Sequence, residues 1–294
     1  MRVLVVSNCV TGTFVQTIRA IFPAWDVRGA GVQEAADWLQ DNSKPAFTDY
    51  AAHCDLYLGW DPAGHPIDLT LNPRADRIVI PSIHFRGLHP DIASVPGLWG
   101  PFSTSHNNDQ VSLIMVAAKY LGYSADQTLS LFRPQVFDAL GYGGYYDTER
   151  TRFIQNFLNA GHDIEMDVRR WEKGHDFFYV PHHPRVFVLF DIIVRALSGT
   201  YLHPGQRETA QALRTQQPDN LDWAEIWPVY PALAQRVGSA GSMTWFLPSQ
   251  AERRERSLPE MVTLTFAALD NHAGDWKDLA FIREAGMIIA GLPT

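Results

Sequence analysis

The chain has 294 residues, 46% of them hydrophobic and 19% charged, which is enough apolar side chain to bury a substantial core and too much for a disordered tail. Twenty-four Lys and Arg against 32 Asp and Glu leave a formal charge of -8, which argues against a broad footprint on nucleic acid. No apolar run reaches the roughly 18 residues of a bilayer span, no basic leader with a cleavage site precedes the first strand, and two cysteines are too few for a disulfide framework or a four-thiolate zinc site. The expectation is a cytoplasmic protein with free thiols, without a membrane span or a nucleic-acid partner; homo-oligomerisation is left open.

Arg2 to Ser7 is a short β-branched run ending in Ser7-Asn8-Cys9, after which Phe14, Ile18, Ile21 and Phe22 recur at helical spacing. Strand, tight turn and helix follow one another there. Asp55 to Trp60 and Arg77 to Ile83 are further short apolar runs bounded by Gly, Pro and Asp, and Val32 to Leu39 reads as an amphipathic helix between the first two strands. This is a βαβ pattern, hence a parallel sheet. From Asn107 the period changes: Val111, Ile114, Met115, Ala118 and Leu121 share one helix face, with Asn107 or Asn108 as N-cap and Gly122 as stop. Ser124 to Leu140 carries Pro134 as a kink or break. Gly141 to Tyr145 reads as a loop, and Glu149 to Asn159 and Pro184 to Leu197 as helices, the last with Pro184 in its first turn. Tyr201 to Asp222 reads as a polar surface connection, Glu252 to Arg256 as a solvated charged face, and Ser257-Leu258-Pro259-Glu260 as the capped start of a C-terminal helix. The fold class is therefore α/β, a parallel N-terminal sheet with flanking helices and a mostly helical middle and C-terminal part. The expected division is a catalytic core over 1–200 and a mainly helical extension over 201–294 packed on it.

Cys9 is the sharpest chemical signal. A strand leading through a tight turn into a helix places its side chain at the carboxyl end of a strand, where α/β folds keep their sites, and the free N–H groups of a helix start favour a thiolate and a developing oxyanion. The alternative is a small cysteine packed at the strand end, the role expected for Cys54. A nucleophilic cysteine needs an imidazole. Among eleven histidines, the segment after the third strand supplies His84, Arg86, His89 and Asp91, where Asp91 either orients an imidazole or caps a turn. Ser105-His106 opens the first long helix, and His182, His183 and Arg185 precede another. Metal-binding spacings such as H-E-x-x-H are missing, as are a dinucleotide fingerprint, a Walker loop and a G-x-S-x-G elbow, so no metal is expected.

With these residues assembled, the chain resembles the WcbI-type polysaccharide-biosynthesis family, proteins tied to capsule assembly and proposed to be coenzyme A-dependent acetyltransferases. The resemblance rests on the opening strand with Asn8-Cys9, the Pro81 to Asp91 segment, the Ser105-His106 helix start, the Phe177 to Arg185 segment and Trp227-Pro228-Val229-Tyr230-Pro231. The family pattern reads Asn-Cys-Gln, whereas Val10 follows Cys9 here and offers only its backbone N–H. The resemblance implies Cys9 as nucleophile, a base from the His84, His89 or His106 segments, and coenzyme A or acetyl-coenzyme A as substrate; Asp91 is the carboxylate the residues themselves offer beside such a base. Asn8, Val10, His84, Arg86, His182, His183 and Arg185 are then the candidates for holding it, and the acceptor a sugar or glycan precursor. Two rivals remain: a thiol-dependent ester or thioester hydrolase, and a non-catalytic glycan- or nucleotide-binding protein.

Overall fold

A computed structural model of the chain describes residues 1–40, 43–61, 69–98, 109–173, 176–219, 221, 225–247 and 254–293. The chain divides into two compact units: Met1–His84, Arg152–Trp171 and His182–Leu221 form the first, and Phe85–Thr151, Glu172–Pro181 and Asp222–Thr294 the second. Residues from both sides of position 200 are therefore found in each.

The first unit opens with β1 (Arg2–Ser7), α1 (Thr11–Ile21), β2 (Asp26–Gly31), α2 (Val32–Gln40), α3 (Pro45–Ala52), β3 (Leu56–Gly59) and β4 (Asp76–Val79). The four strands form one parallel sheet in the order β2-β1-β3-β4. Strand β1 is central because it can be: Val3, Leu4, Val5 and Val6 are all buried, each burial contributing about 1.5–3 kcal/mol. Below one face lies a core of Leu4, Val6, Ala35, Tyr50, Ala51, Cys54 and Tyr57, so Cys54 packs as expected. The chain leaves β1 for β2 on one side and returns to β3 on the other, which makes the carboxyl end of β1 the switch point of the sheet. Strand β2 escapes a hydrophobic-pattern reading, because Asp26-Val27-Arg28-Gly29-Ala30-Gly31 buries only Val27 and Ala30.

The second unit takes up the chain with β5 (Ile92–Ser94), β6 (Gln110–Ser112), α4 (Leu113–Tyr120), α5 (Ala125–Leu129) and α6 (Pro134–Ala139). Helix α4 starts at Leu113, later than periodicity suggests, because Ser112 is its N-cap and accepts from the Met115 N–H at 3.2 Å; Asn107 and Asn108 lie outside the described residues. Pro134 separates α5 from α6, in the role anticipated for it. Helix α7 (Tyr142–Asn159) passes from the second unit into the first and begins at Tyr142, so of the stretch read as a loop only Gly141 lies outside a helix, while Gly143 and Gly144 are in its first turn. The rest follows as α8 (Glu165–Trp171), β7 (Phe178–Val180), β8 (His183–Pro184), α9 (Val186–Leu197), α10 (Pro204–Arg214), α11 (Pro231–Ala234), β9 (Trp245–Leu247), β10 (Arg254–Arg256), α12 (Leu258–Asp270) and α13 (Ala280–Ala290). Pro184 is thus extended and Arg185 is the N-cap of α9, one residue past the expected helix start.

One further expectation is revised. The polar stretch from Tyr201 contains helix α10, opened by His203 and Gln206 in a reciprocal capping box and burying only Ala210, which is why its pattern looked like a connection. Arg254–Arg256 pairs antiparallel with Trp245–Leu247 and keeps Arg254 and Glu255 exposed, as a solvated charged face does. The capping box of Ser257 and Glu260 on α12 is present. In the second unit α4 packs against α12 and α13, with Gly286 of α13 so close to Tyr120 that an added Cβ would come 2.9 Å from its ring. Arginines and two buried aspartates hold the helices of the first unit together. Asp191 on α9 accepts from Trp171 Nε1 at 2.8 Å and from Arg214 Nε and Nη2 at 2.8 and 2.9 Å, while Asp167 on α8 accepts from Arg195.

Candidate functional site

Between β1 and α1 the chain turns through Asn8, Cys9 and Val10. Asn8 is the pivot: its carbonyl accepts from the Thr11 N–H at 3.1 Å and the Thr11 hydroxyl at 2.8 Å, and its Oδ1 accepts from the Val10 N–H at 3.3 Å. The Val10 N–H is thus used within the turn, and its side chain is buried. The open donors stand one step on. The N–H groups of Gly12 and Thr13 make no hydrogen bond to a described residue, and Gly12 is exposed with no atom within 4 Å of where a Cβ would stand. Cys9 is exposed, so the thiol is presented at the switch point of the sheet instead of packed within it.

What stands next to that thiol comes from far along the chain. Cys9 Sγ lies 3.9 Å from the carbonyl oxygen of His182. The rings of His182 and His183 are 4.2 Å apart at 60°. His183 is buried, and that burial, reinforced by the neighbouring His182, pushes its imidazole down to about 3, so it is neutral at ordinary pH. Arg185 follows as N-cap of α9, whose first N–H, from Val186, is taken by Asp219 Oδ2 at 3.2 Å. A carboxylate already at that helix start leaves α1, not α9, as the end suited to an anionic or polarised oxygen.

The other candidates are placed as follows. His84 is exposed at the end of the first stretch of the first unit. Arg86, His89 and Asp91 belong to the second unit. Arg86 donates its backbone N–H to Glu149 at 3.2 Å and its guanidinium to the Ile92 carbonyl, and lies 5.9 Å from the Tyr145 ring centre. His89 Nε2 is 3.2 Å from the Trp227 carbonyl oxygen, which can only accept, so Nε2 carries the hydrogen and Nδ1 is a bare acceptor. Burial pushes His89 down to about 3.

Asp91 is buried, and its oxygens accept from the Ile114 N–H at 3.0 Å, Tyr142 at 2.8 Å and Tyr230 at 2.6 Å. Burial raises its carboxyl against the pull of these donors and of Ser112. Asp91 thus receives the Ile114 N–H in the first turn of α4 together with the two tyrosine hydroxyls. His106 lies outside the described residues. The sequence carried no signal that could join His182 to Cys9, since 173 residues separate them and no motif spans the gap.

The family model described as "Polysaccharide biosynthesis enzyme WcbI" matches residues 2–204, which include Cys9 and the His182-His183 pair. No curated protein matches the chain. A solved structure of WcbI, described as a novel polysaccharide biosynthesis enzyme and as the native protein without a disulfide bond between coenzyme A and one of its cysteines, shares the fold. It matches with a TM-score of 0.69 and 12% identity over 98% of both chains. The match of the family model across the first strand, the thiol turn and the histidine segment identifies the chain as a member of the WcbI family of polysaccharide biosynthesis enzymes.

Proposed function

We propose that the chain is an acyltransferase that takes an acyl group, acetyl in the simplest case, from a coenzyme A thioester and passes it to a sugar hydroxyl of a capsular polysaccharide precursor in the cytoplasm. The observation that carries this reading is the exposed thiol of Cys9 at the carboxyl end of the central strand. A related structure whose description concerns a bond between coenzyme A and a cysteine supports it.

The residues fit a thioester at this point. The sulfur is reachable, and the N–H groups of Gly12 and Thr13 stand at a helix start with no partner among the described residues. The absence of a side chain at Gly12 leaves the backbone open to close approach. In the transfer, Cys9 gives its proton to a base and its sulfur attacks the thioester carbonyl. The coenzyme A sulfur leaves and takes a proton, and the acyl group stays on Cys9 as a new thioester. The sugar hydroxyl then attacks that thioester, losing its proton to the base, and the Cys9 sulfur is released. The helix-start N–H groups favour the oxygen that gains charge in both halves.

The test is incubation with acetyl-coenzyme A carrying a labelled acetyl group, followed by denaturation and mapping of the label. Label on Cys9, lost in Cys9→Ser and discharged by a sugar acceptor, is the expected result. Thiol release at the same rate with and without acceptor would make the protein a hydrolase. Neither label on Cys9 nor a rise in melting temperature with coenzyme A or acetyl-coenzyme A would overturn the reading.

A further inference from the structure

We infer that His182 is the imidazole that exchanges a proton with the Cys9 thiol, an assignment that rests on the acyl-transfer reading of Cys9 and names the base that reading leaves open. The backbone supplies the proximity. With the His182 carbonyl oxygen 3.9 Å from Cys9 Sγ, and a Cα standing about 2.4 Å from its own carbonyl oxygen by standard geometry, the His182 Cα is within about 6 Å of the sulfur. An imidazole nitrogen reaches that far by choice of rotamer.

The surroundings favour this residue over its neighbours. Burial grades inward along the segment, from the exposed thiol to half-buried His182 and then to His183, which is enclosed. The two imidazoles, 4.2 Å apart, do not carry two positive charges together at low cost, and His182 is the one with access to water. His183 and Arg185 follow His182 in the chain, and Asp219 Oδ2 takes the Val186 N–H at the start of α9.

Among the described residues of that unit, His162 Nε2 lies 2.7 Å from the Val79 carbonyl oxygen, His53 Nδ1 lies 2.8 Å from the Asp49 carbonyl oxygen, and the His203 side chain caps α10, each away from the thiol turn in sequence. His84 is the rival to be eliminated by experiment. In the resting state the thiol lies toward the His182 carbonyl. On attack, the S–H bond breaks, the proton passes to the His182 ring nitrogen and the sulfur pair forms the bond to the acyl carbon. The same proton goes to the departing coenzyme A sulfur, and the cycle repeats in reverse with the acceptor hydroxyl.

The experiment is the rate of Cys9 alkylation by iodoacetamide as a function of pH, with no coenzyme A present. The wild-type protein should show thiolate reactivity with an inflection in the range of an imidazole–thiol pair. His182→Gln should move the inflection up toward the ordinary thiol range of about 8.5 and slow alkylation near pH 6.5 at least tenfold. A thermal melt establishes that the variant is folded, and His182→Asn repeats the measurement with a shorter side chain. An unchanged profile in both variants, or the shift appearing in His84→Gln instead, overturns the assignment. Because this readout needs no thioester, a wild-type protein that fails to take label from acetyl-coenzyme A while His182→Gln still moves the profile would reject the acyl-transfer reading alone.

Discussion

Replacing Gly59 by alanine tests whether the thiol-bearing strand is held where the sheet topology puts it. Gly59 ends β3 with φ +155°, alongside the last residues of β1. A Cβ there would overlap the Val6 carbonyl oxygen and stand 2.8 Å from the Val6 carbonyl carbon, and neither belongs to a movable side chain. The backbone conformation is one that L residues avoid, worth about 1–3 kcal/mol. Separating the strands also removes the hydrogen bond from the Trp60 N–H to the Val6 carbonyl at 3.1 Å, about 1 kcal/mol, and the enforced repacking of Val6 costs about 1–3 kcal/mol more. The expected loss is therefore about 3–7 kcal/mol, a large share of the stability of an ordinary domain. Urea denaturation followed by tryptophan fluorescence reads it as a fall in midpoint with unchanged slope. Gly12→Ala is the matched control: the same added carbon meets nothing within 4 Å and sits at a helix start, so stability should hold or rise by up to about 1 kcal/mol. A loss below about 1 kcal/mol in Gly59→Ala, or an equal loss in Gly12→Ala, would refute the close-approach argument.

Three further outcomes are expected. In the folded protein iodoacetamide should modify Cys9 and leave Cys54, which is fully buried and whose thiol burial pushes up, until denaturant is added; equal labelling of both would contradict the burial assignments. Stability should fall as pH drops from about 7 to 5. His89 and His183 are held near 3 in the fold but titrate near 6.5 when unfolded, so only the unfolded chain takes up their protons in that window; at pH 5 each contributes a loss of about 2 kcal/mol. Urea midpoints across that range measure the slope, and a flat profile would contradict the burial of these imidazoles. Asp191→Ala should destabilise the protein by about 2–4 kcal/mol. It strands the buried Trp171 Nε1 and unpairs Arg214, and Arg214→Met should cost less because that side chain is part-exposed; the reverse order in thermal melts would show the carboxylate is not the hub.

Much of the candidate site was legible because local rules govern it. The Val3 to Val6 run, the Asn8 turn and the periodicity of α1 are enough to put Cys9 at a strand end facing a helix start. Strand β2 was hidden for a physical reason: Gly29 is required where Val15 and Thr11 of α1 crowd the sheet, and a Cβ there would come 2.7 Å from the Val15 side chain. Glycine needed for helix-on-sheet packing erases the hydrophobic pattern that marks a strand. Helix α10 was hidden likewise, since a helix that buries one alanine reads as polar chain. The donors to Asp91 come from Ile114, Tyr142 and Tyr230, well separated from it in sequence, and no local pattern announces them. The proximity of His182 to Cys9 is a tertiary fact that no spacing rule encodes.

The interleaving of the two units bears on how the protein is made. Strand β1 and helix α1 leave the ribosome early, yet α9, which packs against α1, lies beyond residue 185. Until that later segment arrives, the apolar side of α1 lacks its cover, and closure of the first unit depends on contacts widely separated in sequence, the kind that form slowly. A nascent chain stalled before α9 should therefore be a client for chaperones and prone to self-association, and its cysteine-bearing turn should acquire native reactivity only after translation has run well past the histidine pair.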